Sequence, residues 1–482
     1  MPIANPPTVI QGGMGVAVSS WQLARQVSLA GELGVVSGTA LDGVLARVLQ
    51  DGDPGGHRRR ALAHFPSPAM AQRVLDKYFI DGGRAPGKRY RPHPTLTISP
   101  SRSALELSLV GNFSEVWLAK EGHTGRVGIN MLEKIQTANL SAILGAMLAD
   151  VDYVVMGAGV PREIPRLLTE FAAGRTASLS IDVINATSEH RASLDPADLL
   201  GAELPPMRRP NFLAIVSLHV LADYLNRDPE IRPDGFIVEG PRAGGHSSPP
   251  RGKQVLDDSG EPIYGPRDDA DLEKVAKVGL PFWLAGGYAT PEKVAEARAA
   301  GAAGVQTGTL FALAEESGLA PSLRERLKSE LVAGSLEVRN DPRASPTGFP
   351  FKVAQLSETL SEEPVHEARE RICDLGYLRV PVERPDKSIT YRCPSEPVDI
   401  YLRKGGAQED TVGRKCLCNA LMANIGLGQL RKRGYQEPPA VTLGQDLAGA
   451  EVLAARYPDG WTARQALEWL LSDSVGVPLA SS

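Results

Sequence analysis

Asp234-Gly-Phe-Ile-Val-Glu-Gly-Pro-Arg-Ala-Gly-Gly-His246 reads as a short buried strand, Phe236 to Val238, that runs into a glycine-rich loop ending on a histidine. Gly240, Gly244 and Gly245 carry no Cβ, so the backbone here can come close to a flat or phosphorylated ligand. His246 then stands at the C-terminal end of a strand, where parallel α/β sheets place their chemistry. A neutral imidazole at that position can remove a proton from a substrate carbon or hydrogen-bond a developing oxyanion.

Outward from this stretch, apolar runs alternate with helical patterns to about residue 320. The runs are Val9-Ile10, Gly34–Ser37, Val127–Asn130, Tyr153–Met156, Ser178–Ile184, Phe236–Val238, Phe282–Ala285 and Gly304–Thr307. Most are short and apolar on both faces, as buried parallel strands are. Eight strand–helix units predict an α/β chain built as a (β/α)8 TIM-type barrel over residues 1–345; an open doubly wound sheet is the alternative. Residues 50–125 are too long for one connection and read as an insertion, and 195–211 read as loop. Beyond 345 the pattern changes to a Pro-rich stretch over 346–410 and helices near Asn419–Arg433 and Ala463–Leu471, so 346–482 is read as a C-terminal domain.

The strand ends carry the binding signals. Gly286-Gly287 and Gly308-Thr309 follow strands seven and eight, the usual place for a barrel's phosphate site. Gly13-Met14-Gly15 follows the first strand, with a flexible apolar side chain that can lie on a ring. Asn130 offers an amide to a ring edge. Gly157 begins a close-approach loop, but Pro161 and Arg162 break any dinucleotide fingerprint.

A net charge of −5 over 482 residues gives no footprint for nucleic acid or an anionic membrane. Asp150 and Asp152 interrupt the apolar region 143–160, so it is not a membrane span. No leader is visible, and the cytoplasm is the expected compartment. All four cysteines fall in the last quarter, as Cys373, Cys393, Cys416 and Cys418. In a reducing compartment this predicts a thiolate centre, zinc or an iron–sulfur cluster, with core cysteines as the plainer alternative.

Gln11-Gly-Gly-Met-Gly15, Gly128-Ile-Asn130, Gly157-Ala-Gly159, Ala243-Gly-Gly-His246, Ala285-Gly-Gly287 and Gly308-Thr309 occur in an order that resembles the nitronate monooxygenases (2-nitropropane dioxygenases). It is also similar to the flavin-type enoyl-acyl-carrier-protein reductases of the same superfamily. The resemblance spans about residues 5–320. It implies a barrel holding FMN, with phosphate at Gly286, Gly287, Gly308 and Thr309, the ring among Gly13, Met14, Gly15, Asn130, Gly157, Gly244 and Gly245, and His246 as catalytic residue. Glu239 and Arg242 stand where the family often has Gln and Glu, and the arginine points to an anionic or carrier-bound small-molecule substrate. The expected activity is oxidation of a nitronate or similar carbanion with oxygen. The alternatives are an NAD(P)H-dependent ene reductase and a flavin-binding scaffold subunit without turnover. The partners expected are that substrate and, in a homodimer, a second copy of the chain.

Overall fold

The computed structural model describes residues 3–201 and 203–472; residues 473–482 of the expected C-terminal domain lie outside the described residues. Eight parallel strands close into a barrel: β1 (Val9–Gln11), β2 (Leu33–Ser37), β3 (Val127–Leu132), β4 (Tyr153–Gly157), β5 (Asn211–Val216), β6 (Gly235–Glu239), β7 (Phe282–Ala285) and β8 (Gly304–Thr307). Each pairs with the next and β8 returns to β1, Val305 facing Val9. The architecture is the (β/α)8 TIM type.

Both faces of the strands are buried, which is why they read as unbroken apolar runs. Ile10, Leu33, Val35, Tyr153, Val155, Leu213, Ile237 and Trp283 fill the barrel interior. Val9, Val36, Ile129, Val154, Phe212, Phe236 and Phe282 face outward into the helix layer. Trp283 is wholly buried, and its indole N–H donates to Pro7 O at 2.7 Å.

Strand five departs from the sequence reading. Residues 178–184 do not enter the barrel: Ala177–Ile181 pairs antiparallel with His190–Leu194 in a hairpin on the outside. Ser178 and Ser180 alternate with buried Ala177, Leu179 and Ile181, the period-two pattern of a strand with one wet face. The barrel strand is Asn211–Val216, at the end of the stretch read as loop.

The long segment 50–125 is mostly helical, with helices at His57–Leu62, Pro68–Tyr78 and Arg102–Lys120. The last of these, capped by Ser101, leads directly into β3 and packs on helices Leu41–Gln50 and Gln136–Leu148.

From residues 346–472, Phe349, Phe351, Leu421, Thr442, Leu443, Gly444 and Asp446 line the mouth of the barrel, while the last helices pack against its outer layer. The hairpin Val338–Asp341/Phe351–Ala354 adds to the β6 loop, with Ser247 N donating to Pro350 O and Lys352 N to Gly245 O, both at 2.9 Å. Val441, Leu443, Leu453, Trp461 and Leu467 belong to the same apolar cluster as the barrel's outer face. Trp461 is fully buried and donates to Leu310 O at 2.8 Å, just after β8. Trp461→Ala is expected to lower unfolding free energy by about 3–5 kcal/mol. Urea unfolding checks this, and a loss below about 1 kcal/mol would mean that the C-terminal helices hold little of the fold. No helix among the described residues is long and apolar enough to cross a membrane.

Candidate active site at the barrel mouth

The C-terminal ends of the strands surround a cavity of about 2050 Å³ that is open to solvent. Of this, about 320 Å³ is enclosed, at the lower end of the about 300–1,000 Å³ of single-ligand pockets. Every expected ligand-binding or catalytic residue of the barrel lines this one cavity: Gly13, Met14 and Gly15 after β1, Asn130 on β3, Gly157 on β4, Glu239, Arg242, Gly244, Gly245 and His246 from β6, Gly286 and Gly287 after β7, and Gly308 and Thr309 after β8.

Gln11 organises the first loop. Its amide N–H groups donate to Gly12 O at 2.6 Å, Ser19 Oγ at 2.9 Å and Val35 O at 3.1 Å. Ser19 in turn accepts from Met14 N at 2.9 Å. Gly13 lies against the Asn130 side chain so closely that any Cβ there would collide with it. Asn130 Oδ1 and Thr307 Oγ1 are buried with no hydrogen-bond partner, although both residues line the cavity. Most buried polar atoms in proteins are hydrogen-bonded, and of the unpaired ones among the described residues only these two belong to residues that line the cavity, where a polar ligand edge can meet them.

At the other end, Gly286 and Gly287 have φ of 87° and 92°, a left-handed conformation that excludes most side chains. A Cβ at Gly286 would meet Gly240 O and Ala243 N at 2.9 Å, so the β6 and β7 loops press together here. Arg242 and Asp446 both flank Gly287. Thr309 Oγ1 accepts from Gly444 N at 3.0 Å, which leaves its hydrogen free to donate. The glycine cradle, the free hydroxyl, the Arg242 guanidinium and the orphaned Asn130 and Thr307 oxygens fit a flavin mononucleotide. Asp446 adds a carboxylate beside Gly287, which sequence reasoning missed.

His246 and Glu239 are the titratable groups that the β6 strand and loop bring to the cavity besides Arg242. His246 Nε2 is 2.7 Å from Ser345 Oγ, and the ring stands edge-on to Phe351 with centroids 4.9 Å apart. Burial, then the charge of Lys134, hold its pKa well below the usual value, so the imidazole is neutral near pH 7. Glu239 faces the cavity, and burial raises its carboxyl to about 7 against the opposing pull of Lys352. Lys352 is fully buried, donates to Ser247 Oγ at 2.6 Å, and is lowered by burial to about 8.

The raised Glu239 has a pH signature. The native state keeps a proton that the unfolded chain releases near pH 4.5. The stability from that proton is full below about pH 4.5 and lost as pH rises through about 7. Glu239→Gln is expected to flatten this slope by about 1–2 kcal/mol, after discounting for the carboxyl's contact with the cavity. Urea midpoints at pH 4.5 and 8 measure it, and identical slopes in both proteins would show that the carboxyl is fully solvated.

The four cysteines come together but do not form the expected metal centre. All four line one small cavity in the C-terminal segment. Cys373 and Cys393 are in thiol–thiol contact, and Cys416 is held by the Asn419 amide at 3.5 Å and by Ile372 O at 3.8 Å. Burial pushes the Cys416 and Cys418 thiols up. Among the described residues, no group of three or more His, Cys, Asp or Glu side chains is placed to hold an ion.

No curated protein matches the chain in sequence. Among solved structures, FabK from Thermotoga maritima is 17% identical over 97% of this chain and 92% of its own, with a TM-score of 0.49. Nitroalkane oxidase from Streptomyces ansochromogenes is 16% identical over 96% and 94%, with a TM-score of 0.45. Residues 216–341 match the family model described as nitronate monooxygenase. That span holds the β6 loop with His246 and the glycine turns after β7 and β8, and it is this part of the chain that is similar to the nitronate monooxygenase family.

Proposed function

We propose that the protein is an FMN-dependent oxidoreductase of the nitronate monooxygenase kind, which oxidises a nitronate or similar stabilised carbanion with oxygen. The observation that carries this reading is the convergence of five glycine-bearing strand ends, Asn130 and His246 on one cavity, with the Asn130 and Thr307 oxygens unpaired at its wall. FMN, when bound, supplies an acceptor for electrons from the substrate. Asn130 and Thr307 hold the edge of its ring, while Gly286, Gly287, Gly308 and Thr309 hold its phosphate. His246 stands beside the substrate's reacting atoms as a neutral imidazole. Arg242 and the buried cations Lys134 and Lys352 favour an anionic substrate over its neutral parent.

A second reading is reduction of an activated double bond with a nicotinamide as hydride source. Lys134 favours it, because a lysine lowered to about 8 near the histidine can supply the proton that such a reduction consumes. The absorption spectrum of the purified protein tests the cofactor. Oxygen uptake with a preformed nitronate, set against NADPH oxidation with an α,β-unsaturated thioester, separates the two activities. Protein that stays colourless after incubation with FMN would defeat both. Flavin without either turnover would leave the scaffold role.

A further inference from the structure

His246 is wired to a lysine on the far side of the barrel mouth. Its Nε2 meets Ser345 Oγ at 2.7 Å, and Ser345 Oγ meets Thr347 Oγ1 at 2.8 Å. Thr347 Oγ1 accepts from Lys134 Nζ at 3.5 Å, the longest link. Lys134 follows β3, and its Nζ also sits 4.0 Å above the Phe349 ring. Ser345 is fully buried, and Arg414 fixes its backbone by donating to Ser345 O at 2.6 Å. The edge contact with Phe351 fixes the imidazole plane, so each ring nitrogen has one side.

The direction of this chain follows from its ends. An ammonium only donates. With Lys134 donating to Thr347, the Thr347 hydroxyl has Ser345 Oγ as its acceptor, and the Ser345 hydroxyl then donates to His246 Nε2. The opposite direction leaves the Thr347 hydrogen with no acceptor among the described residues, whereas Ser345 Oγ has the two lone pairs needed to accept from both Thr347 N, at 3.2 Å, and the Thr347 hydroxyl. Nε2 therefore accepts, and the proton of the neutral ring sits on Nδ1. The only side-chain hydrogen bond of the ring among the described residues is the one at Nε2, and His246 lines the cavity.

We infer that Lys134, Thr347 and Ser345 form a relay that sets the tautomer of His246, so that the histidine offers an N–H to the substrate in place of a basic lone pair. The role toward substrate rests on the proposed function; the tautomer does not. In this arrangement His246 hydrogen-bonds a substrate oxyanion. It can also give its Nδ1 proton to a carbanion while Nε2 takes the Ser345 proton, Ser345 that of Thr347, and Thr347 one from the Lys134 ammonium. The net transfer is one proton from Lys134 to the substrate, which water restores. Lys134, Thr347 and Ser345 are positioning residues in this scheme.

Nitrogen-15 spectra of the FMN-loaded protein labelled in histidine test it, with the His246 signals assigned by their loss in His246→Ala. The wild type is expected to show a protonated Nδ1 and an unprotonated Nε2 on His246. Lys134→Met and Thr347→Val, the second nearly isosteric, are expected to lose that state in favour of the Nε2–H form that is commoner for free histidine. They are also expected to lower kcat/KM for a preformed anionic substrate about tenfold at unchanged flavin content. An Nε2–H tautomer in the wild type, or an Nδ1–H tautomer retained in both variants, overturns the relay. If the tautomer behaves as expected and no carbanion or enoyl substrate is turned over, the relay stands and the functional reading fails.

Discussion

Gly308→Val is expected to give folded protein that binds no flavin and has no flavin-dependent turnover. Gly308 has φ of −120° and ψ of −59°, outside the left-handed region though beyond the usual α range, so a β-branched residue meets less backbone strain there than at Gly287. A Cβ at this position would touch only the Met14 side chain, at 3.4 Å from its sulfur, which is ordinary contact. The two methyl groups beyond it would extend into the part of the cavity bounded by Met14 and Thr309, where the phosphate end is expected. The variant therefore separates loss of cofactor from loss of fold. The control is Gly287→Val, where φ of 92° adds strain of about 1–2 kcal/mol and stability should fall as well. Flavin absorbance and urea unfolding, measured together, decide it. Stoichiometric flavin in Gly308→Val would move the phosphate away from the β8 turn.

His246→Ala is expected to keep FMN and lower kcat/KM by about 10²–10³-fold, the range for removing one donor aimed at developing negative charge. The loss should appear mainly in kcat, because the bond strengthens as charge builds on the substrate. The neutral state of His246 sets the pH profile. Its pKa is depressed, so the active tautomer persists as pH falls below the usual histidine range. The same shift links to stability: the unfolded chain binds a proton near pH 6.5 that the native imidazole refuses. Stability from this group is thus full above about pH 6.5 and lost as pH falls below it, a slope that His246→Ala removes. An unchanged rate in the variant with every substrate would take His246 out of the reaction.

The barrel was legible because its strands are buried twice over, and a run such as Tyr153-Val-Val-Met156 has no polar interruption to confuse it. The one misplaced strand shows the limit. Ser178-Leu-Ser-Ile181 is strand-like, and choosing it over Asn211-Phe-Leu-Ala-Ile-Val216 required knowing which of the two has a wet face. The mouth glycines were legible because strand-end loops are local in sequence. Ser345, Thr347, Thr442 and Asp446 were not, because each reaches the site from a segment about a hundred or more residues away and carries no local pattern. The cysteines were correctly grouped by their clustering, but spacing says nothing about which way a thiol points or what already bonds it.

The hydrogen bond from Gly245 N to Thr442 Oγ1 joins residues 197 positions apart, and Gly444 reaches Thr309 and Gln445 reaches Arg242 in the same segment. During synthesis all eight strands and His246 have left the ribosome well before this segment is made. A chain ended before Val441 would have every strand of the barrel but would lack one wall of its pocket. Capture of the cofactor is therefore expected to need this segment, and a product clipped before it should lack the yellow colour.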